Sequence, residues 1–390
     1  MSDRIQQGLR NVRTKATWVG VVALIASAIG GIIDSRQFFA SYLFGYLFWL
    51  GLGLGCLTLT MIHHLTGGRW GFVIRRFLEA GFSTVPLMAI LFVPICFGLG
   101  SLYPWARPDL VNGAAVLRKR HPYMSTEWFI MRSVLCLGLW SLIAWGLRKA
   151  SLAQDKTIEV TSARLLRTMS GPGVLIYPLT ATFAYIDWIL SLEVEWYSTI
   201  FAVIVITGQV LAALALAVVL LRVLGDGEFI LSLKREEIYQ QLGNLLLTFV
   251  LFWTYLSFSQ LLIIYSANLP QEIDWYLHRI AGGWYIIAAL IAAFHFFVPF
   301  CLLLFRSLKR NLNSLATIAA VLLATHVIAL YWLVAPSIHP DSPAIHWLDF
   351  ATFIGVGGVW LGAFAGLLLR APLLPQNDPR MTQELAYETA

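Results

Sequence analysis

Long apolar runs separated by short polar stretches recur along the whole chain. A membrane-crossing helix needs about 20 apolar residues, because each residue adds about 1.5 Å and the hydrocarbon layer is about 30 Å thick. Ten runs reach this length, so the pattern predicts ten membrane-spanning helices. Their predicted bounds are 16–33, 39–62, 84–103, 127–147, 172–191, 198–222, 242–266, 282–305, 314–335 and 347–369.

The composition agrees with this pattern. Hydrophobic residues make up 58% of the 390-residue chain, charged residues 12%, and the mean hydropathy is +0.73. A soluble domain carries about 25% charged residues, so a soluble enzyme, a nucleic-acid binder and a disordered scaffold are excluded. We predict an all-α membrane protein with one integral membrane domain, 1–390. It divides into an N-terminal segment 1–15, ten helices over 16–369 and a polar tail 370–390.

The basic residues predict the orientation of the chain. The net charge of +6 and the pI near 9.2 come from Lys and Arg in short loops between the apolar runs. With the N-terminus in the cytoplasm, 20 of the 27 Lys and Arg residues lie on the cytoplasmic side, Lys156, Lys234 and Arg380 among them. Cytoplasmic loops are enriched in these residues, so both termini are predicted to be cytoplasmic.

Cysteine and glycine spacing indicates packing rather than a bound cofactor. The four cysteines lie inside predicted spans and form no CxxC, whereas iron–sulfur clusters and c-type haem need closely spaced cysteines. No metal site and no P-loop is predicted either. Gly51, Gly53 and Gly55 lie in the middle of a span, which favours helix packing over dinucleotide binding. The spacing 358, 362 and 366 of three further glycines predicts a flat helix face for a close neighbour.

Two oppositely charged residues are predicted near the outer ends of neighbouring spans. Asp187 and Arg132 each lie about one turn inside the membrane, where an ionisable group is costly unless it is paired or hydrated. One interpretation is a structural ion pair. The other is a protonatable carboxylate in contact with a proton or, together with Trp188, with a quinol headgroup. Glu193 and Glu195 follow on the outer loop, either simply solvated or forming a proton exit.

Histidines occur at two depths. His295 and His326 lie near the midpoints of consecutive spans, so they are expected to be antiparallel neighbours at similar depth. A hydrogen-bonded structural pair, a proton relay and, least favoured, ligation of a b-type haem are the alternatives. His63 and His64 end the second span on the cytoplasmic side, close to Glu79. Interfacial anchoring is expected there, with a proton-entry mouth as the alternative.

A polar stripe follows one side of the seventh span. Thr248, Tyr255 and Ser259 are spaced i, i+7 and i+11 and share a helix face, and Gln209 lies in the middle of the sixth span. Such stripes usually form interhelical hydrogen bonds. The alternative is that they line a hydrated half-channel.

Several longer stretches resemble a known family. They are HHLTGGRWGFVIRRFLEAGFSTVPL (63–87), FAYIDWILSLEVEWYSTIF (183–201), LGNLLLTFVLFWTYLSFSQLLIIYSANLPQEIDWYLHRIAGGW (242–284), FHFFVPFCLLLFRSLKRN (294–311), YWLVAPSI (331–338), HWLDFATFIGVGGVWLGAF (346–364) and PLLPQNDPR (372–380). Together they resemble the ActF family, the second NrfD-like integral membrane subunits of bacterial alternative complex III. This complex is a quinol:cytochrome c oxidoreductase. The resemblance covers nearly the whole chain.

The resemblance implies an architecture and a set of partners. Spans two to five and six to nine would form two four-helix bundles, with two peripheral helices, in the bacterial cytoplasmic membrane. The partners would be a homologous NrfD-like subunit (ActC), an iron–sulfur, molybdopterin-like subunit (ActB), c-type cytochromes (ActA and ActE), a small membrane subunit (ActD) and lipids. Haem c and iron–sulfur clusters would lie on those partners, quinol would be the substrate of the complex, and this chain would bind no cofactor. Its own role would be a proton pathway.

Site residues carry over at two positions. Asp187 matches the acid of the family's DWxxSLE-type motif, and His295 matches its FHF-type motif. Two positions depart from the family. Val194-Glu195-Trp196 stands where the motif often has Pro-His-Trp, and Ala329 stands where an acid often precedes Tyr-Trp. A proton path through the second bundle would therefore run by way of His326.

Three functions remain open on the sequence. The first is a subunit without cofactors in a quinol-oxidising respiratory complex, whose catalytic redox centres lie on its partners. The second is a secondary transporter of a small solute, which predicts broken helices at corresponding points of two repeats. The third is a purely structural subunit.

Overall fold

The computed structural model describes residues 3–113, 115–120, 122–155, 160–193, 195–225 and 235–373. Its regular elements in these ranges are all helical, and ten helices are long and apolar enough to span a membrane, which confirms the predicted class and number. We label them α1 (Asp3–Ile33), α2 (Ser35–Thr66), α3 (Arg69–Phe97), α4 (Thr126–Gln154), α5 (Ala163–Leu192), α6 (Phe201–Leu224), α7 (Glu236–Ala267), α8 (Pro270–Leu304), α9 (Leu312–Ser337) and α10 (Trp347–Leu368). Lys156, Lys234, Arg380 and the predicted tail from 374 onward lie outside the described residues.

Four helices begin nine or more residues before their predicted bounds, α5 among them, which begins at Ala163 instead of 172. Helix α1 already begins at Asp3, so most of the segment predicted to precede it is helical. Helix α3 begins at Arg69 instead of 84, and α8 begins at Pro270 instead of 282. The added parts of α3 and α8 are amphipathic helices with charged residues. A search for apolar runs misses them, because their charged side chains interrupt the run.

Helix α2 lies at the centre of the molecule and is almost entirely buried. It packs against α3, α5, α6 and α10. The central glycines allow this crowding, because a Cβ at Gly53 would lie 3.3 Å from the carbonyl oxygen of Gly81 in α3, and one at Gly55 would lie 2.8 Å from the Cβ of Ala213 in α6. The interpretation of this glycine run as a packing surface is confirmed.

The first and last helices pack against each other along their lengths. Gly20 of α1 lies against the backbone of Gly358 in α10, and a Cβ on either residue would come within 2.6 Å of the other helix. Thr17 lies over Gly362, one turn further along. The predicted flat face therefore has its neighbour within the same chain. We call the face where α1 begins and α10 ends the terminal face, and the other the opposite face.

Helices α3 and α8 are irregular. Helix α3 consists of three segments, Arg69–Phe82, Val85–Leu91 and Val93–Phe97, and a proline lies in the first turn of the second and third. In α8, Gly282 and Gly283 have φ angles of 56° and 98°, which break the helix because only glycine adopts them readily. A π-helical turn follows further along α8, and His295 lies in it. Such turns are frequent at functional sites.

Candidate functional site

Buried polar side chains gather at three levels across the helices, and the level nearest the terminal face is built around Glu79. Glu79 is fully buried in α3 and accepts hydrogen bonds from three arginines. Arg75 Nε donates to its Oε1 at 2.9 Å, while Arg76 and Arg148 each donate an Nη1 to its Oε2 at 2.6 Å. The hydroxyl of Ser151 also donates to Oε1. The carboxylate thus joins α3 to α4.

The arginines of this cluster carry more charge than its carboxylates. Arg76 also donates from Nη2 to Asp155 at 2.5 Å, and Arg75 donates to the side-chain oxygen of Gln154 at 2.8 Å. The cluster of Arg75, Arg76, Glu79, Arg148 and Asp155 therefore has three positive charges against two negative ones. We call these five residues the arginine cluster.

The structure corrects the prediction for the inner end of α2. His63 and His64 are buried rather than interfacial, and His63 Nε2 lies 3.1 Å from the carbonyl oxygen of Gly68. Glu79 is also enclosed, with no exposed surface. The expectation of interfacial anchoring is therefore wrong, and the proton-entry mouth stays a prediction. The error follows from placing 63–83 in a loop, when most of it is helix packed on α2.

The middle level holds the two histidines. The rings of His295 and His326 stack with centroids 5.9 Å apart and planes at 23°, which confirms that they are neighbours at one depth. Trp253 of α7 lies edge-on to His295 at 4.5 Å, and Gly208 of α6 leaves room for the His326 ring. Axial haem ligands each direct a nitrogen at a shared iron, whereas these rings stack on each other.

Ring nitrogens of this pair are buried without partners. Within the described part of the chain, both nitrogens of His295 and Nδ1 of His326 have no hydrogen-bond partner. An unsatisfied buried polar atom costs about 1–3 kcal/mol, so such atoms call for an unseen water or a functional role. The two imidazoles can therefore take up and release protons at the middle of the membrane.

Gln209 joins two tyrosines beside the histidines. Its side-chain oxygen accepts hydrogen bonds from Tyr177 at 2.9 Å and from Tyr185 at 2.8 Å, both on α5. The hydroxyl of Tyr46 on α2 is buried with no partner in the described chain. Gln209 is predictable from the sequence but the tyrosines are not, since a tyrosine in a membrane span gives no signal that separates it from ordinary packing.

Towards the opposite face, Asp187 and Arg132 form the expected pair. Arg132 donates Nε to one carboxylate oxygen at 2.7 Å and Nη2 to the other at 3.0 Å. The guanidinium also lies 4.0 Å from the ring centre of Tyr123. Burial and the nearby charge of Asp187 raise the pKa of Tyr123 to about 12, so its phenol stays protonated at neutral pH.

A quinol at the protein surface cannot reach Asp187 or Trp188. The side chain of Asp187 is 2% exposed and Trp188 is fully buried, with its indole N–H donating to Ser133 at 2.9 Å. A quinol headgroup would reach them only after a rearrangement of α4 and α5. The bidentate geometry instead matches a structural ion pair.

The two glutamates after α5, Glu193 and Glu195, differ in burial and in hydrogen bonding. Glu193 accepts a hydrogen bond from the buried Arg279 at 2.6 Å and another from Ser337 at 2.9 Å, so it is not a solvated loop residue. Arg279 also lies 3.8 Å from the ring centre of Trp275. Glu195 is exposed, as expected of a loop residue.

A second carboxylate near the opposite face was not found from the sequence. Asp349 lies in the first turn of α10 and is 7% exposed. Ser41 donates to it at 2.5 Å and Gln37 at 3.2 Å, and His339 Nε2 lies 2.6 Å from the Gln37 side-chain oxygen. Unlike Glu79, Asp187 and Glu193, Asp349 forms no ion pair within the described residues. Its partners on α2 are more than 300 positions away in the sequence, which is why spacing gave no hint of them.

Two of the three residues in the polar stripe of α7 are exposed. Thr248 is exposed and donates to the carbonyl oxygen of Asn244 in its own helix, and Tyr255 is 66% exposed. Ser259 is only partly buried. In the described part of the chain, neither Thr248 nor Tyr255 has a hydrogen bond to another helix, and the half-channel stays a prediction. Gln260, which is buried and accepts from Ser198 at 2.7 Å, is the polar residue that α7 turns inward.

No protein-family model matches this chain, and a search of curated proteins gives no match either. Its function is therefore inferred from the residues described above.

Proposed function

We propose that this chain is a membrane subunit of a quinol-oxidising respiratory complex of the alternative complex III type, and that it anchors the complex and carries protons across the bilayer. In this proposal α2–α5 and α6–α9 form the two NrfD-like bundles, and α1 and α10 are the peripheral helices. Haem c and iron–sulfur clusters reside on partner subunits. The protein lies in the bacterial cytoplasmic membrane, with the terminal face towards the cytoplasm.

The observation that carries the proposal is the histidine pair at mid-depth. A proton cannot cross about 30 Å of hydrocarbon without groups that hold or pass it. His295 and His326 are the buried titratable groups that have unsatisfied nitrogens at the middle level, and polar groups lie on both sides of them. Gln209 with its tyrosines provides a hydrogen-bonded continuation from α6 to α5. Ordered water would bridge the remaining gaps.

Three carboxylates in this pathway are held by arginine. Glu79 is bonded to three arginines, and Asp187 and Glu193 to one each. In the proposed pathway the pairs of Glu79 and Glu193 hold the helices in register, the histidines carry the proton through the middle of the membrane, and Asp187 serves the outer half.

We expect His295→Phe and His326→Phe to reduce the protons moved per electron while the complex still assembles. Phenylalanine fills the space of the imidazole but holds no proton. The measurement is proton release and quinol turnover by the purified complex in proteoliposomes. Thr248→Val and Tyr255→Phe, on the exposed side of α7, are matched controls that should change neither value. An unchanged proton-to-electron ratio in both histidine variants would contradict the proposed pathway.

Asp187→Asn tests the outer half of the proposal. In the assembled complex it should reduce proton translocation or quinol turnover, because the amide can neither ionise nor balance the charge of Arg132. Both activities are compared with those of Glu195→Gln, which changes an exposed carboxylate nearby. If both activities stay at the wild-type level, Asp187 is only a structural partner of Arg132.

The two alternative functions, a transporter and a purely structural subunit, make different experimental predictions. Helices α3 and α8 are both interrupted, as expected of some transporters, but in a parallel repeat of α2–α5 and α6–α9 they are not equivalent helices. A transporter would be active without partners, whereas a complex subunit brings haem-c and iron–sulfur polypeptides with it. A purely structural subunit would show proton movement indifferent to the histidine substitutions.

A further inference from the structure

A groove runs along the outside of α3, α4 and the end of α10, beside the arginine cluster. Its volume is about 560 Å³. The residues that line it are Ser83, Pro86, Ala144, Trp145, Arg148, Lys149, Leu152, Ala153 and Leu367. Most of these side chains are apolar, and both charged ones are basic.

The groove is apolar towards the middle of the membrane and basic towards the terminal face. Pro86 follows Val85, which packs beside Gly53 near the middle of α2, so this end lies deep in the hydrocarbon. Arg148 and Lys149 lie six and five residues before the end of α4, close to the terminal face. A groove with this polarity matches an acyl chain joined to a negatively charged headgroup.

Within the described residues, the basic side chains at this end have hydrogen-bond donors left over for a ligand. Arg148 donates Nη1 to Glu79, but its Nη2 makes only a long contact of 3.5 Å with the carbonyl oxygen of Leu367. Lys149 is exposed and lies 4.9 Å from the ring centre of Trp145. An anion at this end would accept hydrogen bonds from Lys149 and from Nη2 of Arg148.

We propose that this groove is a specific site for an anionic phospholipid, with one acyl chain along Pro86, Ala144 and Trp145 and the phosphate against Arg148 and Lys149. The charge complementarity favours this occupant over a neutral lipid or a quinone, neither of which offers a net negative charge to Lys149 and Arg148. A bound lipid would also tie α3 and α4 to the end of α10. This inference does not depend on the proposed proton pathway.

The test is native mass spectrometry of the full chain, purified with the subunits that accompany it, after delipidation and incubation with phosphatidylglycerol or phosphatidylcholine micelles. We expect one phosphatidylglycerol to be retained more strongly than phosphatidylcholine. Lys149→Gln should weaken that retention about fivefold, the effect of one basic residue near an anionic surface. Arg164→Gln, an exposed basic residue at the same face on α5, is the matched control and should have no effect.

A second variant and a second measurement test whether the lipid lies in the groove. Ala153→Trp places a large side chain at an exposed position in the groove and should abolish retention without disturbing the interior. Phosphatidylglycerol with a photoreactive group on its acyl chain should crosslink to the α4 peptide that contains Ala144 and Trp145 in the wild-type protein. Inorganic phosphate should not compete, because it has no acyl chain.

Several outcomes would overturn the proposal. Equal retention of the neutral and the anionic lipid would show ordinary lipid contact without specificity. Wild-type retention in both Lys149→Gln and Ala153→Trp would place the lipid elsewhere. A quinone extracted from the wild-type protein but not from Ala153→Trp would assign the groove to that ligand, and crosslinks outside α3, α4 and α10 would also exclude this site.

Discussion

Glu79→Gln is expected to destabilise the protein by about 3–5 kcal/mol, the usual effect of removing one partner from a buried ion pair. Glutamine keeps the size and one acceptor oxygen of glutamate, but it removes the negative charge that three buried arginine side chains share. Folded protein should accumulate at a small fraction of the wild-type level. The measurement is the yield of monodisperse protein in mild detergent together with its melting temperature.

Two comparisons separate the effect of charge from that of a lost hydrogen bond. Ser151→Ala removes one hydrogen bond to the same carboxylate and should cost only about 1 kcal/mol. The double variant Glu79→Gln/Arg148→Met removes one of the unpaired positive charges and should recover part of the lost stability. Wild-type stability of Glu79→Gln, or a double variant worse than the sum of its parts, would contradict this account of the cluster.

Gly55→Leu should prevent correct packing of α2 against α6. A Cβ at this position would overlap the backbone carbonyl of Gln209, which neighbouring side chains cannot relieve by changing rotamer. Overpacking of a close-packed core typically costs about 1–3 kcal/mol, and contact with backbone places this substitution at the upper end or beyond. We expect most of the expressed chain to aggregate in a size-exclusion profile.

The position-matched control for this substitution is Gly138→Leu. Gly138 is also a helical glycine in a membrane span, but it faces outward from α4 and a Cβ there meets no atom within 4 Å. It should elute like the wild type, and Gly55→Ala should fall between the two. If Gly55→Leu and Gly138→Leu behave alike, close approach of α2 and α6 is not what the glycine run provides.

The sequence was informative wherever one strong physical constraint acted alone. Burial of apolar surface in lipid sets the ten spans, and the cost of an unpaired charge there predicted that Arg132 would meet Asp187. Prediction from the sequence failed where two constraints compete within one segment. Residues 69–82 are both helical and highly charged, and their charge hid the helix from any search for apolar runs.

Hydrogen-bond networks between residues far apart in the chain could not be predicted from the sequence either. The contacts of Asp349 with Ser41 and Gln37 depend on the parallel packing of α10 on α2, which a single sequence does not encode in any local pattern. The same is true of Gln209 and its tyrosine partners on α5. In the α7 stripe the helical period was right, but period alone does not say which side of a helix faces the lipid.

The pairing of α1 with α10 has a consequence for how the protein is made. Helix α1 leaves the ribosome long before α10, and its small-residue face, centred on Gly20, fits a surface of α10. Until Gly358 has entered the bilayer, that face lacks this partner and remains open to lipid or to the insertion machinery. Nascent chains stalled before residue 347 should therefore leave α1 crosslinkable to that machinery, and release of α1 would mark its pairing with α10.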